Sequence, residues 1–298
     1  MSLADLRLFE MRRGLDLAAL CDLVSERHGR GERTVLLAGG TDWMVEQELR
    51  GPLGEGQSGP LLVDVSRMEE LRGVRLTGDT LRIGAATTYL EVRRSEAVLD
   101  RAPLLARMAR DVGAVQIQAR GTLGGNIATA SPAADGTAAL AALDAEILVR
   151  SVRGERRIPI AALQTGYKAS TRAPDEIIVA VEIALPPAGS AWIWRKVGAR
   201  RAQAISKVAL AGVAHVIDGK LARIGLGMAS VAPVTALLPK TRALALSRPL
   251  ADLTQGAIDA AVAEDIAPID DVRSTRDYRI HCAKAVTRGF LRDLGAPV

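Results

Sequence analysis

The chain has 298 residues, of which 48% are hydrophobic and 3% aromatic, with a net charge of +5 at pH 7. That length suits about two domains. No apolar run reaches the ~18–20 residues that span a bilayer, so membrane insertion is not expected, and so few aromatics leave little to stack on nucleic acid, despite the basic clusters at 150–157 and 195–201.

Those clusters read instead as solvated faces or as an interface with an acidic partner. The N-terminal segment MSLADLRLFEMRRG has acids early and no apolar core, so no secretory leader is expected and the protein reads as cytoplasmic. Cys21 and Cys282 read as small buried thiols of a reducing compartment. Two thiols cannot supply the about four thiolates of an iron–sulfur cluster. His28, His215 and His281 form no i,i+4 pair for a catalytic zinc.

In chain order, residues 16–28 place Leu17, Leu20, Cys21, Val24 and His28 on one helical face, with Asp16 as N-cap. A short strand, VLLA (35–38), runs into the tight turn GGTD and a second helix, WMVEQELR. The next strand is LLVDVS (61–66). This order predicts an α/β unit over 1–66. The Gly/Pro-rich segment 51–60 reads as a flexible connector. Residues 74–85 form two alternating runs around Gly78-Asp79, a hairpin, and a helical region follows at 88–110. After the polar stretch GTLGGNIATASPAADG (121–136), residues 137–151 begin as an alanine-rich helix and end as a strand. The strand at 175–186 stops at Pro186-Pro187. Residues 67–187 thus read as a second unit. From 188 to 298 the pattern is several antiparallel strands, with Asp218-Gly219 as a hairpin turn, then helices at 256–267 and 274–294. In the second of these, Ser274 and Asp277 resemble a capping box.

Two glycine pairs stand out. Residues 37–42 read LAGGTD and 122–126 read TLGGN. Glycine admits positive φ and a close ligand, successive N–H groups form an anion-binding hollow, and a helix N-terminus after GGTD favours phosphate. Thr41, Thr122 and Asn126 add side-chain donors. Neither pair is a Walker motif or a G-x-G-x-x-G fingerprint. Either pair alone reads equally as an ordinary strand-to-helix turn. The second lies in a stretch longer than the ~12–15 residues that loops without structure of their own reach unless they are functional. Asp135, which closes that stretch, suits either a ligand hydroxyl or ring N–H, or a solvent-facing helix cap.

The segments TVLLAGGTDWMVE (34–46) and RGTLGGNIATASPAAD (120–135) resemble the FAD-binding (medium) subunit of the molybdenum hydroxylases, the group of xanthine dehydrogenase and aerobic carbon monoxide dehydrogenase. LVDVSRMEELRGV, LRIGAATTYLEV, PDEIIVAVEIALP and RKVGARRAQAISKVALA extend the likeness over most of the chain. The resemblance implies an α+β fold: a two-part FAD-binding unit of the vanillyl-alcohol oxidase type, followed by a C-terminal α+β domain with an antiparallel sheet. It implies that Leu37, Ala38, Gly39, Gly40, Thr41 and Asp42 wrap the FAD diphosphate from one side, and Thr122, Gly124, Gly125 and Asn126, with Thr129 beyond, from the other. Asp135 is then expected at the flavin ring or ribityl chain, Ile178 against the FAD, at its adenine, and Lys196 near the flavin, where a cation stabilises the reduced anion. The FAD is expected to be non-covalent, since no histidine lies in either turn. The extra cysteines of the benzoyl-CoA reductase branch are missing.

The implied partners are a large molybdenum-cofactor subunit and a small [2Fe-2S] subunit, with a dimer of heterotrimers as one assembly. Electrons would pass from the clusters to FAD and on to an acceptor such as NAD. Two alternatives stay open: a stand-alone FAD-dependent oxidoreductase of a related fold, and a module that has lost its flavin. The chain carries no catalytic residue set of its own, as expected where the chemistry is the cofactor's.

Overall fold

A computed structural model describes residues 9–50 and 59–298. The connector read at 51–60, apart from its last two residues, and the first eight residues of the N-terminal segment lie outside the described residues. Three main sheets follow one another along the chain.

The first holds β1 (Met11–Arg12), β2 (Thr34–Leu37) and β3 (Leu61–Asp64) in the parallel order β1-β3-β2, with α1 (Leu17–Gly29) and α2 (Thr41–Arg50) as connections. Asp16 caps α1 by accepting from Ala19 N at 2.8 Å. Leu17, Leu20, Cys21 and Val24 are buried on its inner face, whereas His28 is exposed, three turns along and rotated off that face.

The second sheet is antiparallel, in the order β4-β5-β10-β6-β7. Its strands are β4 (Val74–Thr77), β5 (Thr80–Gly84), β6 (Glu146–Ser151), β7 (Gly154–Pro159) and, after the small β8 (Gln164–Gly166) and β9 (Ala169–Ser170) pair, β10 (Ile177–Ala184). Between β5 and β6 run α3 (Tyr89–Arg94), α4 (Glu96–Arg101), α5 (Pro103–Asp111), α6 (Val115–Gln118), α7 (Leu123–Thr129) and α8 (Asp135–Ala142); α9 (Ile160–Leu163) follows β7. The apolar run at 177–184 takes the central strand, as a segment buried on both faces must.

Two expectations are sharpened here. The basic cluster at 150–157 is a solvated face, as expected, but its charge is partly answered within the chain. Four of its residues begin β7, an edge strand, and three of its four arginines pair within the chain: Arg153 with Asp175, Arg156 with Glu176, Arg157 with Glu182. The stretch 121–136 is not a long structureless loop. Residues 123–129 form α7, capped by Thr122, and residue 135 opens α8.

The third sheet, β11 (Ala191–Val197), β12 (Val208–Ile217) and β13 (Lys220–Ala229), is antiparallel. Asp218 and Gly219 both take positive φ, 49° and 73°, the two-residue turn that suits a twisted hairpin. Then come α10 (Pro239–Leu246), α11 (Gln255–Asp265) and α12 (Arg276–Asp293). The cap of α12 is Thr275, which accepts from Tyr278 N at 3.3 Å, and not Ser274 as the spacing predicts. Among the described residues no helix is long and apolar enough to cross a membrane.

The core ignores the divisions between the sheets. On the second sheet Leu148, Ile177 and Val179 face α1 and the first sheet, while Ile147, Val149, Val181 and Ile183 face the other way, into one cluster with α8 and with Ala209, Ala211 and Ala229 of the third sheet. Each of those Val, Leu and Ile side chains contributes roughly 1.5–3 kcal/mol by leaving water. All eight residues of α8 are buried. Its backbone lies against β13 so closely that a Cβ on Gly225 would stand 2.0 Å from Ala142 O, and one on Gly227 2.1 Å from Ala138 O. Only glycine permits that approach.

Candidate cofactor site

The two glycine turns, about eighty residues apart in sequence, touch. A Cβ on Gly39 would lie 2.0 Å from Arg120 O and 2.9 Å from Gly121 N. Gly39 is therefore glycine for the sake of the other turn, not of a ligand. Gly40 has φ +73° and open space where a side chain would point, so it meets the conformational demand and leaves the approach clear. The single Thr129 hydroxyl proton is shared between Asp42 Oδ2 at 2.6 Å and Gly125 O at 3.0 Å, which ties α7 to the start of α2.

Their backbone donors differ. The N–H groups of Gly39, Gly40, Thr41, Asp42 and Trp43 have no acceptor among the described residues; the first bond of this end runs from Met44 N to Gly40 O. They form the N-terminus of a ten-residue helix, where the unpaired N–H groups and the dipole favour an anion. In the second turn Leu123 N donates to Thr87 O, Gly124 N to Ala85 O at 2.9 Å and Gly125 N to the Thr122 hydroxyl at 3.0 Å. The expected row of free amides is absent there. Folding as a capped helix docked on residues 85–87 uses those donors, and Gly124 is needed because a Cβ would lie 2.5 Å from that of Ala85.

Two cavities meet at the turns. One, of about 300 Å³, is lined by Leu37 to Trp43, Tyr89, Val112, Thr122, Gly125, Asn126 and Thr129, among others. The second, of about 200 Å³, is lined by Val24, Leu71, Ala85, Gly124, Arg172 and Ile178, among others, and shares Leu36, Ala38, Gly125 and Ala128 with the first. Leu37, Ala38, Gly39, Gly40, Thr41, Asp42, Thr122, Gly124, Gly125, Asn126, Thr129 and Ile178 thus all border one cleft. Sequence reading did not single out Tyr89, Val112 or Arg172. Val112 and Arg172 lie in segments with no motif to mark them, and Tyr89 in LRIGAATTYLEV, a stretch that carries likeness but no site signal of its own; only the fold brings them to the walls.

Asp135 and Lys196 line neither cavity. They pair with each other: Lys196 Nζ donates to Asp135 Oδ2 at 2.5 Å and to Asp111 O at 3.0 Å, with both side chains about 10% exposed. Ser206 Oγ donates to Asp135 Oδ1 at 2.7 Å, and Trp194 Nε1 to Asp111 Oδ2. Burial pushes the Asp135 carboxyl up from its ordinary value, opposed by Lys196 and the Ser206 hydrogen bond. A solvent-facing cap is therefore ruled out for Asp135. The N-cap of α8 is Ala134.

The residues present fit a dinucleotide flavin. Free N–H groups at a helix start suit its diphosphate, an apolar second chamber suits adenine, and two buried polar atoms on the first chamber, Tyr89 Oη and Asn126 Oδ1, lack partners among the described residues. Among those residues no group of three or more His, Cys, Asp or Glu is placed to hold a metal ion.

Fold and cleft define a flavin-nucleotide-binding chain. Residues 8–186 match the family described as the FAD binding domain in molybdopterin dehydrogenase, and 194–294 that of the CO dehydrogenase flavoprotein C-terminal domain. The xanthine dehydrogenase FAD-binding subunit of Escherichia coli O157:H7 is 30% identical over 262 residues, 87% of each chain. The carbon monoxide dehydrogenase medium chain of Hydrogenophaga pseudoflava is 29% identical over 88% of this chain and 89% of its own. The solved carbon monoxide dehydrogenase from the same organism, lacking the Mo-pyranopterin moiety of its molybdenum cofactor, superposes with a TM-score of 0.86 at 26% identity, covering 94% of this chain and 95% of the other. Quinoline 2-oxidoreductase from Pseudomonas putida 86 shares the fold, with a TM-score of 0.83 at 21% identity over 96% of both chains. The chain belongs to the FAD-binding subunits of the molybdenum hydroxylases, and is an oxidoreductase component whose own cofactor is FAD.

Proposed function

We propose that this chain is the electron-transferring flavin subunit of a cytoplasmic heterotrimer, with a large molybdenum-cofactor subunit and a small [2Fe-2S] subunit, assembled as a dimer of heterotrimers. When bound non-covalently, FAD supplies a carrier of one and two electrons, the chemistry needed between a partner's clusters and an external acceptor such as NAD. The protein's part is to hold it. The N–H groups of residues 39–43 and the Thr41 hydroxyl face the diphosphate; Gly125 and Thr122 close the opposite side, with Asn126 next to them at the flavin half; Ile178 packs at the adenine. Lys196 acts from behind, with Asp135, as a fixed pair that sets the charge at the rear of the flavin chamber. In this reading the chain divides at 1–66, 67–187 and 188–298, one main sheet to each part, and the cleft opens between the first two.

The observation that carries this reading is the contact between the turns: a helix N-terminus with unclaimed amides is held against a second glycine turn, and the two chambers meet at that seam. Gly125→Val is the direct test. Apart from Thr122 Oγ1 at 3.0 Å, nothing meets a Cβ there, so the variant should fold and lose FAD uptake by at least about tenfold, read by flavin fluorescence titration of the purified chain. Stoichiometric flavin in that variant would falsify the placement. Molybdenum and iron analysis of the native complex tests the partners.

A further inference from the structure

Tyr89 opens α3 and is 2% exposed. Its backbone is fixed: Tyr89 N donates to Gly121 O at 3.0 Å, and the preceding Thr88 makes a reciprocal capping box with Glu91. Its hydroxyl has no partner among the described residues, and neither has Asn126 Oδ1. The two atoms converge, because a Cβ on Gly136 would stand 2.4 Å from Asn126 Oδ1 and 2.9 Å from Tyr89 Oη. Both residues line the first cavity. Buried polar atoms left single are costly, and native proteins retain them where water or a ligand completes them.

The roles are set by chemistry. Burial, with the Asp135 and Asp42 carboxylates nearby, keeps the Tyr89 phenol protonated well past its ordinary range, so it donates. An amide oxygen only accepts. A phosphate, which only accepts at working pH, would satisfy Tyr89 and repel Asn126 Oδ1. A group that both accepts and donates satisfies the two together: a sugar-alcohol hydroxyl or a ring imide edge, each present in the flavin half of FAD. We propose that Tyr89 is a flavin-positioning residue, its hydroxyl donating to, and Asn126 Oδ1 accepting from, the ribityl–isoalloxazine half of the cofactor. This rests on the FAD reading above and adds Tyr89, a residue that neither glycine motif contains.

Tyr89→Phe in the full chain separates the outcomes. The flavin-free variant should melt at a higher temperature than the wild type, because an orphaned hydroxyl is gone. It should nevertheless bind FAD about three- to tenfold more weakly, the range of one hydrogen bond. FMN, which lacks the adenosine half, should weaken by the same factor. Lumiflavin, which lacks the ribityl chain, assigns the group: weakened binding points to the imide edge, unchanged binding to a ribityl hydroxyl. A Tyr89→Phe chain that binds FAD as tightly as a FAD-binding wild type overturns the proposal, as does a loss seen with FAD and not with FMN. A wild-type chain that takes up no FAD sinks the underlying reading instead.

Discussion

In the first glycine turn, residues 38–43, five consecutive N–H groups face the cleft without protein acceptors among the described residues. In the second, residues 122–126, the corresponding groups are bound to Thr87, Ala85 and the Thr122 hydroxyl. Both are a glycine pair followed by small polar residues. The glycines of the first serve a helix end that is open to an anion, except Gly39, which serves the contact between turns. Those of the second let a short helix dock against residues 85–87, just past β5, and leave a bare wall beside the cleft. A glycine pair therefore marks a close approach, but whether ligand or protein makes that approach depends on where the neighbouring amides go.

The sharpest way to break the pairing is Gly39→Ala. Its Cβ would run into Arg120 O, a backbone atom that cannot step aside. A loss of about 3 kcal/mol or more in urea unfolding is expected, with FAD uptake lost as the turns part. A variant as stable as wild type would separate the turns in solution. Lys196→Met tests what stands behind the second turn. It leaves the Asp135 carboxylate buried without its cation, so a loss of about 3–5 kcal/mol is expected in the flavin-free chain. Most of that should return in Asp135→Asn with Lys196→Met, which removes both charges. If the single variant unfolds like wild type, the pair is not structural.

Thr122→Val should cost about 1 kcal/mol, the usual worth of an N-cap, whereas Thr41→Val, at the open turn, should leave unfolding unchanged and weaken FAD. Equal effects of the two on stability would erase the difference between the turns. The smallest effect is acid-dependent and sits at the rim of the second chamber. Hydrogen bonds from Arg153 and Arg156 hold the Asp175 and Glu176 carboxyls below the ordinary range. A folded value below the unfolded one means stability that is present above about pH 4 and lost as the pH falls through the folded values. Replacing both arginines with alanine should make the acid limb of a stability–pH curve shallower; an unchanged limb would assign acid sensitivity elsewhere.

Much of the fold was legible in the residues. Asp16 before an amphipathic run, Gly78-Asp79 and Asp218-Gly219 between alternating segments, and the apolar β10 all formed what their patterns predict. What was not legible lacks a pattern of its own. In β7 four of six residues are exposed charged residues or glycine, so its pairing with β6 leaves no alternation to read. In α7 glycine, threonine and alanine give no apolar period; Thr122 and the dock on Ala85 hold it helical. His28 shows the limit of a period taken too far, since it sits in the last turn of α1 outside the buried stripe. At the site, the motifs led to the seam of the cleft. The Asp135–Lys196 pair joins residues 61 apart in sequence, and Tyr89 faces the chamber only because α3 is anchored to Gly121. Neither follows from any local spacing.

The press of Gly225 and Gly227 on α8 has a bearing on transplanting this flavin holder into other proteins. The helix whose first residue holds Lys196 behind the chamber is clamped along its length by a strand that begins some eighty residues later. A graft cut after the second sheet would leave an all-buried alanine helix facing solvent and would free its leading aspartate to drift. The smallest portable holder therefore carries the β11–β13 hairpins with it.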